Sequence, residues 1–207
     1  LDGHGIYYIN KGINGHFVSQ NVSSFMTSYF KKIDAYKTKN LKNEVNVYEK
    51  LKENNYEIIK SCFFEAEGSL TKGKYDVNFS GTTAVIVIQV DDKIICANAG
   101  DSRAILIKEN LSNSLLNKES INRDKTEAIA LSKDHKPELT NEKSRIVSCG
   151  GRVEKFSDNG IKTGPYRVWL KHEDYPGLAM SRSIGDLVAG SIGVTCEPGI
   201  LYLLRNI

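Results

Sequence analysis

The stretch from Ser80 to Ile107 constrains the fold more than any other part of the chain. It contains Ser80-Gly81-Thr82-Thr83-Ala84, two apolar runs, and Asn98-Ala99-Gly100-Asp101-Ser102-Arg103-Ala104. The first run, Ala84-Val85-Ile86-Val87-Ile88, is apolar without alternation, the pattern of a strand buried on both faces. Asp91-Asp92-Lys93 supplies a turn, and Ile94-Ile95-Cys96-Ala97 returns antiparallel. A third strand, Ala104-Ile105-Leu106-Ile107, follows almost at once. Between the second and third strands, Gly100-Asp101 sets a carboxylate at a glycine-permitted bend. A lone Gly-Asp more often caps a tight turn than lines a site. The sharper reading directs Asp101 into a site at the sheet rim, and the rest of the chain decides between the two.

A chain of 207 residues suits one domain, 1–207, with a substantial core. A net charge of +3 argues against nucleic acid as a partner unless a basic patch is focused on one face. The only such candidate, Lys31 to Lys60, carries Asp34, Glu44, Glu49, Glu53 and Glu57 among its lysines and reads as a solvated helix face. No apolar run approaches a membrane span, no signal-peptide pattern opens the chain, and the first residue is Leu1. Cys62, Cys96, Cys149 and Cys196 lack paired spacing, and three of them lie in apolar surroundings. That usage points to reduced thiols in an intracellular protein, cytoplasmic or nuclear, rather than to disulfides or zinc. A monomer is expected.

The chain opens with Asp2-Gly3-His4-Gly5, a string that in isolation is usually a turn. Its chemistry is nevertheless available: a hard oxygen at Asp2, a backbone carbonyl at Gly3 that a cation can approach, and a proton donor at His4. Phe17, Val18, Val22, Phe25 and Met26 form a helical stripe that starts near His16, for which a surface or capping role is the better reading. Tyr48, Leu51, Ile58, Ile59, Cys62, Phe63 and Ala66 mark a longer amphipathic helix without chemistry. Ile6 to Asn14 and Leu111 to Glu127 are polar and aperiodic, and are expected to be the least ordered segments. Ala128 to Leu131 is a short strand. His135, beside Pro137, is read as a hydrogen-bonding structural residue. Glu138 to Cys149 is a short helix stopped by Gly150-Gly151. Gly151 to Trp169 reads as an irregular, glycine-punctuated excursion containing Arg152 and Arg167. Asp2 and Asp101 both sit at glycine-flanked bends, so they are expected together at one rim of the central sheet.

Taken in order, six strings form a pattern. They are Asp2-Gly3-His4-Gly5, Ser80 to Ala84, Asn98 to Arg103, Ser132 to Pro137, Glu142 with Arg145-Ile146 and Gly150-Gly151, and Gly177 to Asp186. Together they resemble the metal-dependent serine/threonine protein phosphatases of the PP2C type, in the plant and protozoan form. The resemblance implies an α+β fold, a four-layer αββα sandwich of two antiparallel sheets flanked by helices. It implies two or more Mg²⁺ or Mn²⁺ ions, with Asp2 and the Gly3 carbonyl as metal ligands and Asp101 at an additional, weaker metal site. It implies phosphoprotein substrates, a metal-activated water as nucleophile and His4 as general acid. The stretch from Arg152 to Trp169 matches a flap where substrate preference is expected to lie, and Arg182 and Asp186 match structural partners near the site.

The chain also departs from the family pattern. It starts at the metal aspartate and stops at Ile207, so an upstream arginine, a Glu-Asp pair and later metal aspartates are missing. A fragment of a longer protein is therefore expected, with little or no activity of its own. The link from Ile6 to Asn14 is long, and Gly199 replaces a commoner acidic residue after Glu197-Pro198. The alternative function is a catalytically inactive module of the same fold that binds phosphoprotein without turnover.

Overall fold

A computed structural model of the chain describes residues 1–5, 14–39, 47–73, 75–109 and 126–204. Most of the two segments expected to be least ordered, 6–13 and 111–125, lies outside the described residues. The fold is α+β: short antiparallel sheets combined with helices. Helix α1 (Gly15–Lys39) begins at Asn14, whose side-chain oxygen accepts the His16 N–H at 2.7 Å and whose carbonyl accepts from Phe17 and Val18. Its stripe buries Val18 and Val22 completely. Helix α2 (Val47–Lys72) buries Tyr48, Leu51, Ile59, Cys62, Phe63, Ala66 and Leu70. It is broken at Glu53–Tyr56, where Asn54 and Asn55 take left-handed backbone angles that asparagine tolerates better than most residues.

The strands after α2 are β2 (Ser80–Thr82), β3 (Ala84–Val90), β4 (Lys93–Ala99), β5 (Ile105–Glu109) and β6 (Thr126–Ala130). Those near the end of the described chain include β11 (Gly199–Leu204), which pairs with β4 to give a sheet ordered β11-β4-β3. Strand β4 is buried on both faces. Ile95, Ala97 and Ala99 face the α1–α2 layer. Ile94 and Cys96 face Leu131, Ala104 and Leu106 of the β5–β6 region. Helices, one sheet and a second sheet are thus stacked in layers, consistent with the sandwich.

Two expectations need correction. Strand β3 was expected to be buried on both faces, but it lies at the edge of its described sheet with Val87 49% exposed. Its inner face, Ile86, Ile88 and Val90, packs on the helices, whereas on the other face only Val85 joins the second cluster. An unbroken apolar run therefore did not distinguish the central strand from its neighbour. The expected irregular excursion is also regular: β7 (Gly151–Asp158) and β8 (Ile161–Leu170) form a long hairpin, extended by β9 (Pro176–Leu178). Its turn is Asn159-Gly160, both with positive φ, the dipeptide that a two-residue hairpin turn favours. Helix α3 (Thr140–Ser148) packs Ile146 against Val153 and Val168 of this hairpin and against Ile192 and Val194. Among the described residues no helix is long and apolar enough to cross a membrane. Cys62, Cys96 and Cys196 are buried, Cys149 is exposed, and all four are free thiols.

Candidate active site

The opening string is not a turn. Gly3–Gly5 form strand β1, antiparallel to β2 with His4 opposite Gly81. On the other side of β2 lies β10 (Ile184–Gly185), with Gly185 also opposite Gly81. One small sheet, β1-β2-β10, thereby unites three of the six strings. Helix α1 enters so close to β1 that a Cβ on Gly3 would lie 1.8 Å from the Gly15 carbonyl oxygen. Both positions exclude a side chain for that reason, independently of any metal.

Thr83 links the ends of this sheet to the Gly100–Ser102 bend. The Asp2 N–H donates to Thr83 Oγ1 at 3.0 Å, and the Asp2 carbonyl accepts the Thr83 N–H. The same Oγ1 is 2.7 Å from Ser102 Oγ. The main chain of Asp2 and the neighbour of Asp101 therefore meet on one hydroxyl. The two carboxylates differ in environment. Asp2 is exposed, and its carboxylate has no hydrogen-bond or ion-pair partner among the described residues. Asp101 is paired with Lys136 Nζ at 2.5 Å.

The residues from Ser132 to Pro137 hold the bend in place. Arg103 grips Asp134 through two hydrogen bonds of 3.0 and 2.9 Å. His135 Nδ1 accepts the Gly100 N–H at 3.2 Å, while its own backbone bonds Gly100 and Ser181. His135 is thus a structural hydrogen-bonding residue. Burial, helped by the charges of Arg182 and Arg145, pushes its pKa down to about 4. Glu142, 4% exposed, accepts from Arg182, Arg145 and Ser181. Burial alone would raise its pKa, but these three partners hold the carboxyl well below its usual range. Arg182 is a structural partner, as expected.

Asp186 belongs to the site more directly. It is 4% exposed, and its Oδ2 lies 2.5 Å from His4 Nε2 and accepts from Ser183 Oγ at 2.6 Å. Burial opposes a charged His4, but the hydrogen bond and charge of Asp186, with lesser help from Asp2, prevail and hold its pKa above the ordinary value. Among the described residues His4 Nδ1 is buried without a well-formed hydrogen bond. The α-carbon of Gly81 lies against this cluster: a Cβ there would be 2.1 Å from Asp186 Oδ2. Sequence reasoning did not single out Ser183, Gly81 or the α2 residue Glu67, whose Oε2 accepts the Gly185 N–H at 3.3 Å. Glu67 had no readable signal, because one acidic residue on an amphipathic helix looks like any other solvated position.

The suspected flap is the β7–β8 hairpin. Its Arg152 is committed to the hairpin itself, bonding the Leu170 and Glu173 carbonyls, Glu154 and Asp174, and lying 5.5 Å from the Trp169 ring. Arg167 donates to the Gly177 carbonyl at 2.6 Å. Phe156 and Ile161 are exposed on the same hairpin.

For a hard divalent cation, the exposed unpaired carboxylate of Asp2 and the Gly3 carbonyl are suitable oxygen donors. Asp101 would first have to exchange Lys136 for the ion. Among the described residues no group of three or more His, Cys, Asp or Glu side chains could hold a metal. The fit is therefore partial: two donors for an ion that keeps much of its water.

The family model described as "Protein phosphatase 2C" matches residues 10–204, a span that includes Asp101 and begins after Asp2, Gly3 and His4. The chain is 32% identical over 202 residues to the probable protein phosphatase 2C 65 of Arabidopsis thaliana, covering 97% of this chain and 48% of that protein. It is 36% identical over 156 residues to the probable protein phosphatase 2C 35 of the same plant, covering 68% of this chain and 41% of that one. The chain thus spans less than half the length of these curated relatives. Among solved structures, a serine-threonine phosphatase 2C from Toxoplasma gondii superposes with a TM-score of 0.68 at 20% identity, over 92% of this chain and 60% of that one. At that identity the likeness is one of fold.

Proposed function

The chain belongs to the protein phosphatase 2C family, and from that premise we propose that it is part of a Mg²⁺- or Mn²⁺-dependent phosphatase acting on phosphoserine and phosphothreonine in proteins. One observation carries the reading: an exposed Asp2 carboxylate, without a partner among the described residues, stands two residues from a histidine held by a buried carboxylate. Asp2 and the Gly3 carbonyl would hold the metal, and Asp101 would serve a further, weaker ion once released from Lys136. When bound, such ions make a water easier to deprotonate and offset charge on the phosphoryl oxygens. His4 protonates the serine or threonine oxygen as its bond to phosphorus breaks. An alkoxide leaves poorly without that proton, and a positioned acid contributes about 10²–10⁴-fold. The raised pKa of His4 keeps more of it protonated near neutral pH than an ordinary histidine would be.

The test is phosphate release from a phosphothreonine peptide by the longest protein that carries this chain, with and without Mn²⁺. Metal-dependent release that falls strongly in His4→Gln supports the reading. Peptide binding without release would instead favour the inactive, phosphoprotein-binding alternative.

A further inference from the structure

The residue that follows β10 is in an unusual state. Asp186 precedes the short helix α4 (Leu187–Gly190), where an aspartate commonly caps the helix with its side chain. Here it makes no such bond. Its backbone has φ 50°, a left-handed conformation rare outside glycine, fixed by its N–H on the Ser80 carbonyl and its carbonyl on the Gly190 N–H. A conformation of this kind persists where the surrounding structure over-determines it, commonly at functional sites. The carboxylate turns away from α4 and reaches across β2 to His4. Ser183 Oγ bonds the same oxygen and lies 3.5 Å from His4 Nε2. Room for the bridge exists because Gly81, between β1 and β10, has no side chain. Behind it, Glu67 of α2 fixes the Gly185 N–H.

We propose that Asp186 is the positioning residue of His4: its carboxylate fixes the orientation of the imidazolium from which the leaving-group oxygen takes a proton. This rests on the reading of His4 as general acid. As the bond from phosphorus to the serine or threonine oxygen breaks and the bond to the attacking water oxygen forms, a proton of the His4 imidazolium passes to the departing oxygen. The neutral ring stays hydrogen-bonded to Asp186, the attacking water gives up a proton to solvent, and solvent returns one to the ring. Ser183 keeps the Asp186 carboxylate aligned with Nε2.

The leaving group provides the test, because a phosphothreonine alkoxide needs the proton whereas the p-nitrophenolate of p-nitrophenyl phosphate leaves without it. His4→Gln, Asp186→Asn, Ser183→Ala and the double variant His4→Gln/Asp186→Asn are prepared in the longest protein carrying this chain. Each is checked by thermal melting, and kcat and KM are measured with both substrates. Asp186→Asn is expected to lower kcat on the phosphopeptide about 10- to 100-fold, with KM unchanged, and to change p-nitrophenyl phosphate turnover less than about 3-fold. Ser183→Ala should show the same selectivity with a smaller loss, and the double variant should be no worse than His4→Gln alone. If His4→Gln is selective but Asp186→Asn and Ser183→Ala slow both substrates equally, or neither, the positioning role is overturned and the general-acid reading stands. If His4→Gln is itself unselective, both fall together.

Discussion

Protonating His135 should destabilise the fold by a calculable amount. In the folded chain its pKa lies near 4, against an ordinary value of 6.5. The residue is 6% exposed, and its Nδ1 already accepts the Gly100 N–H, a bond that the imidazolium cannot keep. Because the folded pKa is depressed, the unfolded chain takes up the proton first. Stability is therefore full above about pH 6.5, falls as pH drops through the interval, and stops falling near pH 4. A difference of about 2.5 pH units at about 1.4 kcal/mol each gives about 3 kcal/mol. His4 does not blur this window: its folded pKa is raised, so its contribution is complete below 6.5 and lost as pH rises above it. Glu67 runs against His135 in the lower part of the interval, since burial raises its pKa from 4.5. The effect is therefore read as a difference between proteins. Urea unfolding at pH 7.5, 6.0, 5.0 and 4.5 is compared for the wild type and His135→Gln, whose amide oxygen can still accept the Gly100 N–H. The wild type should lose about 2–3 kcal/mol more than the variant across the series. Parallel pH dependence in the two proteins would rule out His135 as the source of the loss.

Other outcomes follow from the same geometry. Glu142→Gln should lower stability by about 3–5 kcal/mol, because Arg182 and Arg145 lose a buried counter-charge, and urea unfolding at neutral pH measures it. Glu142 itself should begin to lose its contribution only below about pH 4.5, since its folded pKa is depressed. Gly81→Ala puts a methyl 2.1 Å from Asp186 Oδ2 and should displace the carboxylate from His4, seen as a changed imidazole shift by NMR together with reduced phosphopeptide turnover. Ile146→Ala should cost about 2–5 kcal/mol by opening a cavity between α3 and the hairpin, visible as a lower melting temperature.

Much of the architecture was legible because apolar periodicity records burial. The stripes of α1 and α2, the β3–β4 pair and the Gly150 stop of α3 could each be read from residues alone. Burial shared between neighbours was harder to read. Strands β3 and β4 are similarly apolar, yet only β4 has a layer on each face, because the β5–β6 region covers one strand and leaves Val87 in solvent. The hairpin was misread although Asn159-Gly160 marks its turn, since glycines at Gly151 and Gly164 obscured the flanking strands. At the candidate site, the order of the strings pointed to Asp2, His4 and Asp101. The use of each residue depended on contacts that linear order does not carry. Asp101 meets Lys136, and Asp186 crosses β2 to His4 because Gly81 lets it pass.

In the proposed function Asp2 would hold a divalent ion for phosphoester hydrolysis. The most direct measurement titrates Mn²⁺ into the longest protein carrying this chain and into its Asp2→Asn variant, following bound Mn²⁺ by paramagnetic resonance and phosphate release from a phosphothreonine peptide in the same samples. Release should rise with Mn²⁺ occupancy in the wild type, and Asp2→Asn should lose both tight Mn²⁺ binding and most of the release. Unchanged Mn²⁺ affinity and turnover in Asp2→Asn would contradict that role.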